Sequence, residues 1–328
     1  MNRSTSLALM LLFLWPEQSA TAKMIVFDPA GSTYTIPRAI NSKGWIAGFY
    51  NDTNFKKNSH GFVRAPNGTI TSFDVKGDKI GTFALAINDN GTVAGEYKDR
   101  AAIPHGFIRV ADGTITTFDV PKSSQTIPQC MNDSGIITGF YVDISGNLDG
   151  FVRAANGKIT TFNPDGGTDT TPSSINKTGT IVGTYDENQS GHNFIRTADG
   201  TITSFDPPDS GGVGFDYIND KGAIVGDYFA SGTYHGFLRS SQGTYTTIDP
   251  SGSMETFLFG IDNKGVIMGS FTSDMQHGFV RAADGTYTTF DPKNSVNTSP
   301  EAINKKGAIT GFWERENSAS IHGFLRTP

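Results

Sequence analysis

The sequence predicts an all-β protein, a seven-bladed β-propeller with four antiparallel strands per blade and a ring closed by the N-terminal strand. Three observations carry that expectation. A turn with Asn or Asp first and Gly fourth recurs seven times, from Asn41–Gly44 to Asn304–Gly307. Between turns lie short alternating apolar runs, spaced for four strands in a period of about 43 residues, which is the size of a propeller blade. The last repeat stops at Pro328 without its final segment, and Met24–Pro29 near the other end has the form of that segment.

Taken in chain order, the first residues read as a secretory signal. Arg3 precedes an apolar core from Leu7 to Trp15, too short to span a bilayer, and Ala20–Ala22 has small residues placed for cleavage. This predicts a signal peptide over 1–22, a single propeller domain over 23–328, and a secreted or periplasmic protein without a membrane span. The Met24–Pro29 strand follows directly. Its pairing beside the last strand would remove an open edge.

Each repeat then opens with a variable stretch leading into Ile-Asn-x-x-Gly or a close variant. Asn first and Gly fourth is the preference of a tight type I turn, so these Asn residues read as turn formers. An alternating run such as Trp45–Tyr50 or Ala223–Tyr228 follows, and after a second variable loop comes a stretch such as His60–Arg64 or His277–Arg281. A short turn with Asn-Gly, Asp-Gly or Gln-Gly leads to the fourth strand, as in Thr69–Asp74.

All six histidines occupy one repeat position, and the hairpin arithmetic sets each opposite an acid. The pairs are His60 with Asp74, His105 with Asp119, His192 with Asp206, His235 with Asp249 and His277 with Asp291; His322 would find Asp28 on the N-terminal strand. The third repeat changes both positions, to Asp149 and Asn163, which avoids two like charges face to face. Such a pair can orient a catalytic imidazole. Six copies on different blades cannot converge on one substrate, so the pairs read as structural. The repeated arginines, Arg64 through Arg326, read as packing or pairing between blades. Cys130 is the only cysteine, which excludes an internal disulfide, and it reads as a small buried side chain.

The repeated Ile-Asn-x-x-Gly, His-Gly-Phe-x-Arg and Gly-Thr-Ile-Thr-x-Phe-Asp stretches resemble the bacterial HAF-repeat (extracellular repeat) proteins. Here His-Gly-Phe stands for His-Ala-Phe, with His-Asn-Phe at His192 and Asp-Gly-Phe at Asp149. The resemblance covers nearly all of the chain after the signal. It implies export and a repeat architecture, and brings no catalytic residues.

For function, a net charge of −6 without a basic stripe excludes a nucleic-acid partner. No phosphate-binding loop, nucleophile elbow or zinc-binding pair is present, and no cofactor is implied. The loops before the His position and after the Phe-Asp position vary while the turns do not, so a partner is expected on the loop-rich face and the channel mouth. Aromatics gather there as Phe215, Tyr217, Tyr234, Phe257 and Phe259, with Phe83 from an earlier repeat. They would suit stacking on sugar rings or a patch on another protein. Asp165, Asp169, Asp209, Asp216 and Glu255 add acid to the same loops, without the spacing of a calcium loop, and no metal is expected. The leading expectation is a non-enzymatic protein that binds glycan or protein. Its rivals are a polysaccharide hydrolase or lyase with carboxylates such as Asp165, Asp216 or Glu255 at the channel mouth, and a passive spacer.

Overall fold

The computed structural model describes residues 22–52 and 59–328, so the signal-peptide expectation lies outside the described residues except for Ala22. Every regular element among the described residues is a strand. Among these residues no helix is long and apolar enough to cross a membrane.

Each sequence repeat folds into an antiparallel four-stranded sheet or most of one. In the first repeat the inner strand Ser32–Ile40 pairs with Ile46–Asp52, that with His60–Arg64, and that with the outer strand Ile70–Phe73. The second to fifth repeats form separate sheets in the same order. The sixth, seventh and first are joined into one twelve-stranded sheet by single-residue parallel bridges, Gln276 to Asn297 and Tyr34 to Ile321. Lys23–Phe27 supplies the seventh repeat's outer strand, antiparallel to Ile321–Thr327, with Ile25 opposite Leu325 and Phe27 opposite Gly323.

The turns follow from their residues. In the first repeat Gly44 N donates to Asn41 O at 3.0 Å, with Gly44 at φ 83°, a conformation that suits glycine. Asn41 Oδ1 accepts from the backbone N of Lys43 and Trp45, so the side chain fills the inside of its own turn. Its other end does something the repeat pattern alone did not predict. Asn41 Nδ2 donates to the carbonyl of Asn88 in the next repeat, and Asn132, Asn176 and Asn219 do likewise to the repeat after each. Asn304 Nδ2 donates to Asn41 O at 2.9 Å, from the last repeat to the first.

Apolar contacts between repeats follow the same pattern. The Phe of each His-Gly-Phe stretch is fully buried, and most meet edge-on the outer-strand Phe of the preceding repeat, as in Phe73–Phe107 at 5.9 Å and Phe290–Phe324 at 5.9 Å. For the first repeat that partner is Phe27, at 6.2 Å from Phe62. Glycine before the Phe is dictated by space, since a Cβ on Gly106 would stand 2.8 Å from the Phe118 ring. The repeated arginines lie over aromatic rings. Arg109 stacks on Phe73 at 5.0 Å, Arg326 on Phe290 at 5.1 Å and Arg64 on Phe27 at 4.8 Å, each guanidinium clipping one repeat to its predecessor. Arg281 instead stacks on Tyr287 of its own repeat, because the preceding outer strand has Ile248 where the others have Phe.

Candidate functional site

One cavity of about 390 Å³ is lined by the inner strands of all seven repeats. Six of those strands carry a β-bulge three residues before the turn Asn or Asp, and the bulged residues are Arg38, Leu85, Gln129, Ser173, Phe259 and Glu301. A bulge turns one extra side chain out of the sheet, and all six of these line the cavity. Beneath them stands an apolar tier, of which Ile40, Ile87, Met131, Ile175 and Ile303 also line a second cavity of about 230 Å³ on the turn side. Lys305 crosses that second cavity, its Nζ 2.6 Å from Asp133 and 3.6 Å from Asp89. The Asp133 bond and both carboxylates hold Lys305 above the usual ammonium range.

The charged residues of the larger cavity form an ion pair between adjacent ends of the chain, Arg38 with Glu301. Glu301 is the more enclosed partner, and its burial raises its pKa against the pull of Arg38. Neither residue was singled out by sequence reasoning. The signal available was their position: both stand three residues before the turn Asn, where every other repeat but the fifth also points into the cavity.

The fifth repeat departs from this arrangement. Its inner strand pairs Asp216 with Gly226, Tyr217 with Val225 and Ile218 with Ile224 without interruption, and its irregularity lies upstream, between Val213 and Asp216. As a result Phe215 and Tyr217 line the cavity, with Phe215 58% exposed, while Asp216 does not. Asp216 is fully buried and neither carboxylate oxygen has a hydrogen-bond partner. Burial, then the charges of Asp227 and Asp206, push its pKa well above the ordinary carboxylate range. Burial alone takes Asp227, on the neighbouring strand, to about 7.

The structure divides the aromatic group expected at one patch. Phe215, Tyr217 and Phe259 line the central cavity. Tyr234 and Phe257 pack against each other at a tilt, 5.2 Å apart, with Phe229 against Tyr234 at 5.3 Å, in a separate cluster between the fifth and sixth repeats. Phe83 packs edge-on to Phe49 at 5.0 Å under the Lys98 ammonium, between the first and second repeats. The acids are divided as well. Asp165, Asp169 and Asp209 are exposed, the first beside Glu187 and Arg196 in a groove of about 520 Å³ between the third and fourth repeats. Glu255 begins an inner strand and is half-buried. Asp216, expected in a loop, lies within a strand and away from solvent, because the displaced bulge leaves its side chain in the sheet. Asp165, Asp216 and Glu255 are all missing from the cavity wall. Cys130 lines the cavity, and burial raises its thiol pKa.

The six His–Asp pairs are all in contact, with Nδ1 to carboxylate distances of 2.7 to 3.0 Å, including His322 to Asp28 at 2.7 Å. Each imidazole also lies against the aromatic opposite it on the second strand: Tyr50, Tyr97, Tyr185, Tyr228, Phe271 and Trp313 in turn. In the third repeat Asn163 donates to Asp149, which also accepts from Tyr141 at 3.1 Å. Among the described residues no group of three His, Cys, Asp or Glu side chains gathers to hold a metal ion.

No protein-family model matches the chain, and no curated protein matches it. Solved structures do. The chain is similar to virginiamycin B lyase from Staphylococcus aureus, at 15% identity and TM-score 0.62, covering 94% of this chain and 99% of that one. A streptogramin B lyase is similar at 13% identity and TM-score 0.57, covering 93% and 97%. Puromycin hydrolase is similar at 8% identity and TM-score 0.65, where 87% of this chain covers 50% of that one. At these identities the likeness is one of fold, an all-β, propeller-like array of four-stranded sheets.

Proposed function

We propose that the chain is an exported seven-bladed propeller, closed by Lys23–Phe27, that binds the end of a saccharide chain in its central cavity and does not cleave it. Closure is supported by four contacts between the chain's two ends: the Lys23–Phe27 pairing, His322 on Asp28, Arg64 over Phe27, and Asn304 on Asn41. The binding reading rests on one observation, the cavity in which aromatic side chains (Phe215, Phe259) stand with the Arg38–Glu301 pair, its carboxylate enclosed and its guanidinium accessible. Aromatic planes suit the apolar face of a sugar ring, and a carboxylate beside a guanidinium can accept from and donate to neighbouring hydroxyls. About 390 Å³ suits one or two sugar residues and is too confined for a protein surface. The apolar tier and Lys305 close the far end, so a chain terminus fits better than a continuous polymer. Cleavage would need two carboxyls flanking a bond. Asp216 and Asp227 have the raised pKa values such chemistry uses, yet neither lines the cavity.

The test is a glycan array probed with the mature protein, followed by calorimetry on whichever saccharide binds. Phe215→Ala and Glu301→Gln are each expected to weaken binding about tenfold or more, which corresponds to about 1.4 kcal/mol. Phe257→Ala, outside the cavity, leaves it unchanged. Loss with Phe257→Ala and none with the other two would move the site to the loop-rich face. Release of shorter saccharides during incubation would replace binding with cleavage.

A further inference from the structure

We propose that the inner strand of the fifth repeat has a second register, in which Asp216 is the bulged residue and its carboxylate stands in the central cavity.

The frame on either side is already common to the repeats. Val213 pairs with Tyr228 as Thr256 pairs with Phe271 in the sixth repeat, and Ile218 pairs with Ile224 as Ile261 pairs with Ile267. Only the position of the extra residue differs. Moving the bulge from the Gly214–Phe215 stretch to Asp216 changes three residues and leaves both flanking pairs intact, so no strand has to slide. In that register Asp216 takes the place that Arg38, Leu85, Gln129, Ser173, Phe259 and Glu301 hold in the other repeats. Gly214 and the preceding Gly211 and Gly212 permit the backbone change.

Each register has a distinct cost. The observed one buries a carboxyl with no partner on either oxygen. The second would pair Phe215 with Gly226 and turn the ring toward the fourth repeat. There Asn193 stands where the other six repeats have Gly. One repeat further on, a Cβ at the equivalent Gly236 would meet Leu258 at 2.9 Å, and Leu258 pairs with Gly269 as Asp216 pairs with Gly226. Asn193 therefore occupies the space that Phe215 would need. It is fully buried and neither end of its amide has a partner. This crowding keeps the observed register dominant, and the unpartnered carboxyl keeps the other within reach. The second register exchanges Phe215 for a second carboxylate in the cavity, beside the Arg38–Glu301 pair. The inference stands independently of what the cavity binds.

Carbodiimide coupling of glycine ethyl ester to the full mature chain, read by peptide mass spectrometry, tests it. Asn193→Gly relieves the crowding and is expected to raise the rate of Asp216 modification at least fivefold, with Asp227 unchanged. Equal rates at Asp216 in the native protein and the variant overturn the proposal. Should Asn193→Gly fail to fold, hydrogen exchange on Asp216→Leu decides, because leucine removes the drive toward the cavity. Slowing of at least tenfold confined to Gly214–Tyr217, with Phe257–Gly260 unaltered, supports two registers. No local change overturns them.

Discussion

At the scale of single residues, the six histidines illustrate how a repeat predicts a contact. Each imidazole has a carboxylate on Nδ1 and an aromatic ring beside it, on the rim of its own sheet. In His235→Ala both the Asp249 bond of 2.7 Å and the contact with Tyr228 are lost. We expect a loss of about 1–2 kcal/mol, allowing for partial exposure, seen as a lower melting temperature with ligand binding retained. Lost binding at an unchanged melting temperature would make the pair functional. His277 adds a pH dependence, since its two nitrogens face two carboxylates, Asp291 at 2.8 Å and Asp274 at 3.1 Å. Burial opposes its charge, but those two acids raise its pKa above 6.5. A raised folded-state pKa gives stabilisation that is complete below about 6.5 and is lost as pH rises through the folded value. The stability difference between the native protein and His277→Gln should therefore be larger at about pH 5.5 than at about pH 8.5. Equal differences at both would remove the imidazolium from the account.

At the scale of the element, the turn carries more than its sequence suggested. An Asn suffices for the turn through its Oδ1, and the pattern was legible for that reason. The amide's second role, donating to the next repeat, depends on a distance between sheets that no local spacing encodes. Asp262 tests it. Its Oδ1 makes the usual two bonds to Lys264 N and Val266 N, but Oδ2 has nothing to donate to the seventh repeat and is buried without a partner. Asp262→Asn should extend the series by donating toward Asn304, leaving only Asn88, whose Nδ2 meets Met131 Sδ instead, and should raise stability by about 1–2 kcal/mol. An unchanged or lower urea midpoint would mean that the Asn bonds between repeats contribute nothing net. The inner strands teach a related lesson. Their bulges are invisible in composition, since Arg38, Leu85, Phe259 and Glu301 share no chemistry; what they share is an extra residue in the ladder. The aromatics Phe215, Tyr217, Tyr234, Phe257 and Phe259 looked like one group because they are near in sequence. Alternation along the strands and packing between sheets sent them to two places.

At the scale of the whole molecule, the two ends of the chain depend on each other. Beginning the chain at Pro29 would remove five residues of strand pairing, the acid of His322 and the ring beneath Arg64. It would also open the edge of Ile321–Thr327. We expect a loss of a few kcal/mol from the half-buried Ile25 and buried Phe27 side chains alone, with self-association through the exposed edge. Light scattering and thermal melting would measure both. A monomer of native melting temperature would refute ring closure.

The sequence by itself determined the repeat, its strands and turns, the His–Asp partners and the exchange of the last strand between termini. Each of these depends on spacing within one repeat or on likeness between repeats, and both are written along the chain. The tertiary structure alone decided what enters the centre. Arg38 meets Glu301 only because the first and last repeats become neighbours, and Asp216 is withheld only because its bulge lies upstream of the usual place. Contacts between sheets and the choice of bulge position are settled by packing, and packing has no period in the sequence.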